Sequence, residues 1–187
     1  MKSRSIRILI ILLFLCGSLL VSKSVYYYGK GKIANILLEN AWNKSRELNS
    51  KVIPWTWADI HPIAKLSIDS VKLSTVVLNN VSGEALAFGA GHLPSSAKPG
   101  NDGNIVISAH RDGVFRKLQN VHKDDVITLE LTNGVDKYKI DEMIVTTSND
   151  VQWIESTESN ILTLITCYPF NYIGNSDKRL IIRAIKI

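Results

Sequence analysis

A cysteine, a histidine and an arginine each stand at the end of a run of apolar, strand-like residues. Cys167 closes the run Ile161–Cys167, and His110 directly follows the run Ile105–Ala109. Arg179 opens the last such run of the chain, twelve residues after Cys167. Because strands end in loops, where reactive side chains become accessible, all three are candidates for chemistry at one edge of a sheet.

These residue types suit nucleophilic acyl chemistry. A thiol is little ionised at neutral pH, so Cys167 needs a basic neighbour to act as a nucleophile. His110 could supply that base, although a purely structural role is the alternative. The permanent charge and forked donors of Arg179 suit an oxyanion that develops on a carbonyl. Arg111 and Asp112 could orient His110, or could form a solvated turn.

Other polar residues carry weaker signals. His61, His92 and His122 fall in loop-like stretches, where we expect solvated side chains. Arg183 shares a strand face with Arg179 but lies about 13 Å further along, so we expect it to pair with a surface acid.

The sequence offers no metal or cofactor motif. Zinc sites need several Cys or His residues at short spacings, and this chain has scattered histidines and one cysteine beyond its apolar N-terminus. The pairs Asn101-Asp102 and Asp124-Asp125 are too sparse for a calcium loop. We therefore expect neither a metal nor a cofactor.

The net charge of +5 is unevenly distributed over the 187 residues. Residues 1–51 contain nine Lys/Arg and two acidic residues, whereas residues 52–187 contain thirteen and fifteen. Nucleic-acid binding depends on clustered Lys/Arg, so the mildly acidic remainder argues against a nucleic-acid partner.

The basic N-terminus precedes an apolar segment. Lys2, Arg4 and Arg7 come before Ile8–Val21, and extension to Tyr28 gives a helix of about 31 Å, close to the hydrocarbon thickness of a bilayer. Three consecutive tyrosines would lie at the interface, and the leading charges would stay cytoplasmic. The pattern predicts a single anchor with the following domain outside, and a cleaved signal peptide is the alternative.

A helix and many short strands are expected after the anchor. Residues 30–50 have helical spacing, and a loop bracketed by Pro54 and Pro62 follows. The strand-like runs are Ala64–Ile68, Thr75–Leu78, Ala85–Phe88, Ile105–Ala109, Val126–Leu131, Lys137–Val145, Ile161–Cys167 and Leu180–Ile187. Thr132-Asn133-Gly134 predicts a hairpin turn, and residues 114–121 are expected to form a short helical segment. Eight strands with few helices predict a closed barrel or a sandwich.

Three motifs in this order resemble those of the sortase family. Thr163-Leu-Ile-Thr-Cys167 is similar to the sortase signature Thr-Leu-x-Thr-Cys, and Ser108-Ala-His110 to the strand-end histidine motif. Arg179-Leu-Ile-Ile-Arg183 is similar to the arginine strand that closes the sortase barrel. Further segments, such as Cys167-Tyr-Pro-Phe170, resemble the sortases of Gram-negative, often marine, proteobacteria.

The resemblance implies an all-β fold, an eight-stranded closed barrel with short helices, preceded by one transmembrane helix. It implies a cysteine transpeptidase in which Cys167 is the nucleophile, His110 the general acid/base and Arg179 the stabiliser of substrate and oxyanion. Thr166 would help to position the substrate. We further expect an apolar substrate groove in the loops 148–160 and 168–178, lined by Trp153, Phe170 and Tyr172.

The domains expected are an anchor at 1–29, a juxtamembrane helix and linker at 30–52, and a catalytic barrel at 53–187. The resemblance places the barrel on the periplasmic side of the cytoplasmic membrane. There it would act as a hydrolase or cysteine protease that cleaves an LPxTG-like C-terminal sorting signal of a secreted partner. The acceptor amine is not specified.

Two rival functions are compatible with parts of this pattern. The first is another exported cysteine acyltransferase of the L,D-transpeptidase type, which the lack of a Ser-x-Gly-Cys motif disfavours. The second is a non-catalytic anchored β-domain that binds an envelope partner, which predicts an unreactive Cys167.

Overall fold

The computed structural model describes residues 2–187, which form two compact units that divide between Ile36 and Leu37. Met1, the first residue of the predicted anchor domain, lies outside the described residues, as do the side chains of Lys2, Ser3 and Ser5.

The first unit is helical and exposes its apolar side chains. Helix α1 (Lys2–Leu48) runs without a break through it, so the predicted boundary between anchor and juxtamembrane helix falls inside one helix. Among the described residues, α1 is the one helix that is long and apolar enough to cross a membrane. This suggests a single-pass anchor.

The second unit is a closed barrel of eight strands, as predicted. The strands are β1 (Pro62–Ile68), β2 (Leu73–Leu78), β3 (Ala90–His92), β4 (Asn104–Ser108), β5 (Val126–Leu131), β6 (Gly134–Thr147), β7 (Ile161–Tyr168) and β8 (Lys178–Lys186). Their order around the barrel is β1-β2-β3-β4-β7-β8-β6-β5.

Apolar residues fill the barrel because alternate strand residues point inwards. Leu66 and Ile68 of β1 and Ile127 and Leu129 of β5 are fully buried, whereas the residues between them are partly exposed. Tyr138 of β6 is buried with them, and this burial, together with the neighbouring Asp136, raises its pKa to about 12.

The end of α1 packs on the outside of this barrel. Leu38 and Trp42 form a second apolar cluster with Ile60 and with residues of β2. Lys65 pairs with Glu39 at 2.8 Å. The C-terminal part of α1 is therefore integral to the second unit.

One predicted strand is wrong. Residues 85–88 belong to helix α2 (Gly83–Phe88), because the hydroxyl of Ser82 caps it by accepting a hydrogen bond from the Ala85 N–H. The eighth strand is instead β3, in the stretch expected to be a loop. Gly91 allows β3 to approach the preceding chain, since a Cβ there would lie 2.3 Å from the Asn80 carbonyl oxygen.

Two local predictions are confirmed. β5 and β6 form a hairpin with Leu131 paired to Gly134, so Thr132 and Asn133 form the turn within the predicted stretch 132–134. Residues Val114–Asn120 form a 3-10 helix, η2, after the β4 strand end.

Candidate active site

Strand β7 lies between β4 and β8, and this arrangement brings the three candidate residues together. β8 runs antiparallel to β7 with Arg179 directly opposite Cys167, a pairing that places Cβ atoms about 4.5–5.5 Å apart. β4 runs parallel with Ser108 beside Ile165. The Ala109 N–H donates to the Ile165 carbonyl at 3.2 Å, so His110 follows at the level of Cys167.

Cys167, His110 and Arg179 line one open cavity of about 670 Å³. The loop between β7 and β8, residues 169–177, forms much of its wall. Cys167 is half-buried and unbridged, and His110 is exposed at the opening. A substrate can therefore reach the sulfur and the imidazole from solvent.

Main-chain carbonyls hold the Arg179 guanidinium. It donates to the Ser176 carbonyl at 2.6 Å and to the Lys178 carbonyl at 2.9 Å. Within the described part of the chain it forms no ion pair, so no carboxylate neutralises its charge. Arg179 thus offers a positive charge to the cavity from a fixed position.

Thr166, which the resemblance implies helps to position the substrate, does not line the cavity. Its side chain is 2% exposed and its hydroxyl donates to the Ala109 carbonyl at 2.9 Å. The physical reason is strand alternation, which turns residue 166 to the opposite face from Cys167. Thr166 instead connects β7 to the residue that precedes His110.

Trp153 also lies outside the wall of this cavity. It belongs to the 3-10 helix η3 (Val151–Ile154), and its indole N–H donates to the Asp150 carboxylate at 2.8 Å. Hydrogen bonds from Thr146, Gln152 and Trp153 hold the pKa of Asp150 below its ordinary value.

Arg183 stacks on this indole rather than pairing with an acid. Its guanidinium carbon lies 5.7 Å from the centre of the Trp153 ring, and it is absent from the ion pairs of the described residues. The expectation of a surface acid for Arg183 is wrong, because its guanidinium packs on the face of the Trp153 ring instead.

Phe170 and Tyr172 do line the cavity. Phe170 packs against Tyr168 edge to face, with the ring centres 6.2 Å apart. It also borders a second, apolar hollow of about 400 Å³ with Leu118 and Met143. The aromatic wall on the β7–β8 loop is therefore continuous with a hydrophobic surface.

Arg111 lines the cavity. The sequence had left two roles open for it, orienting His110 or forming a solvated turn. It is 7% exposed, and its NH2 group donates to the Gly174 carbonyl at 2.5 Å. The only sequence feature that singled out Arg111 was its position directly after a candidate histidine. That feature does not predict burial of the side chain under a loop about sixty residues later in the chain.

His110 is the one of the four histidines that lines the cavity. His92 is buried, contrary to expectation, with its Nε2 at 2.8 Å from the Ala97 carbonyl oxygen, and burial lowers its pKa. Burial and the nearby Lys51 likewise lower the pKa of half-buried His61. His122 is exposed. Among the described residues, no group of three metal-ligating side chains is present.

Comparisons with known proteins agree with this geometry. A family model described as the sortase domain matches residues 66–187. The chain is 36% identical over 123 residues to Sortase D of Bacillus subtilis (strain 168). This aligned region covers 65% of this chain and 62% of that protein. The match thus spans less than two thirds of that relative's length.

Solved structures show the same fold. A Clostridium perfringens Sortase D5 transpeptidase matches with a TM-score of 0.69 and 22% identity, covering 83% of this chain and 99% of that chain. The pilus-related Sortase C of Group B Streptococcus matches with a TM-score of 0.62 and 26% identity, covering 67% of each chain.

Proposed function

Because the chain belongs to the sortase family, we propose that it is a membrane-anchored cysteine transpeptidase that cleaves an LPxTG-like sorting signal. The observation that carries the proposal is the convergence of Cys167, His110 and Arg179 on one open cavity. Each of these side chains has a separate role in acyl transfer.

The first step forms a thioester. The Cys167 thiolate attacks the carbonyl carbon of the signal's threonine, and the threonine–glycine bond breaks. His110 gives its proton to the leaving amine. Arg179, opposite the sulfur and without a carboxylate partner, stabilises the negative charge that develops on the carbonyl oxygen.

The second step transfers the acyl group. An incoming amine attacks the thioester carbon, the carbon–sulfur bond breaks, and His110 accepts the proton that the amine loses. Water in place of the amine would make the enzyme a hydrolase. The same site therefore accounts for transpeptidase and cysteine-protease activity.

The partners follow from this chemistry. They are a secreted protein with a C-terminal sorting signal, which places the barrel outside the cytoplasmic membrane and α1 within it, and an amine acceptor. We include a periplasmic location in the proposal, because several segments resemble those of Gram-negative proteobacterial sortases.

Mass spectrometry of the full chain in detergent, after incubation with Leu-Pro-x-Thr-Gly peptides, tests the function. We expect an adduct of the acyl part of the peptide on Cys167 that hydroxylamine releases. Cys167→Ala should form none, and His110→Ala should form it far more slowly than His122→Ala, a matched change at an exposed histidine.

A thioester that persisted in Cys167→Ala would contradict the assignment. Absence of any thioester in the unmodified chain across the peptide set would favour the non-catalytic β-domain.

A further inference from the structure

One terminal nitrogen of the Arg111 guanidinium forms a hydrogen bond, and the other has no hydrogen-bond partner among the described residues. Its NH2 group is bonded to the Gly174 carbonyl, and its carbon lies 5.4 Å from the centre of the Tyr172 ring. Its NH1 group is buried and has no hydrogen-bond partner in the part of the protein that the structure describes. Arg111 lines the same cavity as Cys167.

A buried positive charge in this state is unusual. Charged groups are costly to bury unless they are paired, and nearly all buried donors have an acceptor. Arg111 takes part in no ion pair among residues 2–187. Its charge and its spare donor together match a carboxylate, for which the guanidinium fork is best suited.

The position of Arg111 indicates which substrate would bring that carboxylate. Arg111 directly follows His110, and both line the cavity. In the proposed function, His110 exchanges protons with the amine, both when it leaves and when its replacement enters. An amine that reaches His110 therefore enters the cavity that Arg111 also lines.

We propose that Arg111 binds the carboxylate of an acceptor that carries an amine and a carboxylate together, as an amino acid does. The inference rests on the proposed function and adds the class of acceptor. The acceptor nitrogen forms a bond to the thioester carbon as the carbon–sulfur bond breaks. The sulfur departs as thiolate, and the amine proton passes to His110.

Transfer from the thioacyl-enzyme to glycine or to glycinamide tests this assignment, since the two acceptors differ in the carboxylate. The quantity measured is the ratio of their kcat/KM values. A charge-assisted hydrogen bond supports a change of about tenfold or more. We expect Arg111→Gln to lower the glycine-to-glycinamide ratio by about tenfold, and Arg111→Lys to lower it less.

Arg46→Gln is the matched control, because Arg46 is an exposed arginine on α1 that does not line the cavity. It removes the same charge and should keep the wild-type ratio. Comparing variants with wild type also cancels the different basicities of the two amines. A role for Arg111 as a mere tether of the β7–β8 loop would slow both acceptors alike and leave the ratio unchanged.

An acidic side chain after the scissile glycine of the sorting signal would present the same chemistry. Peptides with Asp or Asn at that position distinguish a carboxylate of the sorting signal from a carboxylate of the acceptor. If Arg111→Gln changes the Asp-to-Asn ratio in thioester formation and not the acceptor ratio, the acceptor assignment is overturned.

Equal acceptor ratios in wild type and in both Arg111 variants also overturn it, while a thioester that still forms leaves the proposed function intact. Absence of any thioester in wild type removes both.

Discussion

At the scale of single residues, the site depends on where each side chain finds its hydrogen-bond partners. Thr166 and Cys167 are neighbours on β7, yet one donates inwards to the Ala109 carbonyl and the other faces the cavity. Arg179 is fixed by two carbonyls and keeps its charge available. The Cys167 thiol thus shares its cavity with side chains from the ends of two neighbouring strands.

Replacing Arg179 should impair catalysis and spare the fold. Loss of one oxyanion donor costs about 10²–10³ in rate, so we expect Arg179→Ala to lower kcat for peptide cleavage by about that factor. Thermal unfolding of the variant checks that the barrel is intact. Arg183→Ala, which removes the other arginine on the same face of β8, should retain most activity, and an equal loss there would argue against a specific role for Arg179.

Thr166 should contribute to stability through its hydroxyl. Thr166→Val keeps the shape of the side chain but leaves the Ala109 carbonyl without this donor, at a cost of about 1–3 kcal/mol in the free energy of unfolding. Urea denaturation measures it. Thr166→Ser retains the donor and should cost less, so equal losses in the two variants would speak against the hydrogen bond.

At the scale of elements, the Asn104 side chain helps to tie the segment between β6 and β7 to the barrel. The Asn104 amide donates to the Trp153 carbonyl at 3.0 Å and to the Glu155 carbonyl at 2.9 Å. Its oxygen accepts from the Thr163 hydroxyl at 2.7 Å. A segment that the sequence leaves irregular is therefore held against the ends of β4 and β7.

Asn104→Ala should release this segment. It leaves several buried groups unpaired, each costing about 1–3 kcal/mol, so we expect a loss of at least about 2 kcal/mol in the free energy of unfolding. Hydrogen exchange should accelerate selectively in residues 151–155. Asn101→Ala, at an exposed asparagine in the loop before β4, is the control, and matching exchange rates in the two variants would contradict the tie.

At the scale of the whole molecule, the chain combines an apolar helix with a closed barrel that has its own core. A closed barrel leaves no free sheet edges. Its stability is coupled to pH through buried groups such as Tyr138.

Tyr138 should make the barrel less stable in alkali. The folded state holds the phenol proton up to about pH 12, whereas the unfolded chain loses it near pH 10. The native state therefore binds more protons between these values, and the free energy of unfolding falls as pH rises through this window. Tyr138→Phe should show a shallower fall in urea denaturation, and an identical slope would contradict the coupling.

Thiol labelling tests the orientation of the molecule in a membrane. In a Cys16→Ser variant, Cys167 is the single thiol of the chain. We expect a membrane-impermeant maleimide to label it in spheroplasts without lysis, because the proposed function places the barrel outside the cytoplasmic membrane. Labelling only after lysis would reverse the proposed sidedness.

The sequence by itself indicated the class of the fold and three candidate residues for the site. Strand-like runs with polar ends identified seven of the eight strands, and the side chains of Cys167, His110 and Arg179 already indicated acyl chemistry. These features are local, since periodicity and residue type act over a few neighbouring positions. The eighth strand escaped because β3 has three residues and depends on pairing with β2.

Only the tertiary structure decided which side chains share the cavity. Trp153 contacts Asp150 and Arg183 instead of lining the cavity. Thr166 faces inwards and donates to the Ala109 carbonyl. Arg111 is buried and donates to the Gly174 carbonyl. Each outcome depends on a partner that is remote in sequence or on the face that a strand turns to the core. Residue type specifies what a side chain can do, whereas closure of the barrel specifies what it meets.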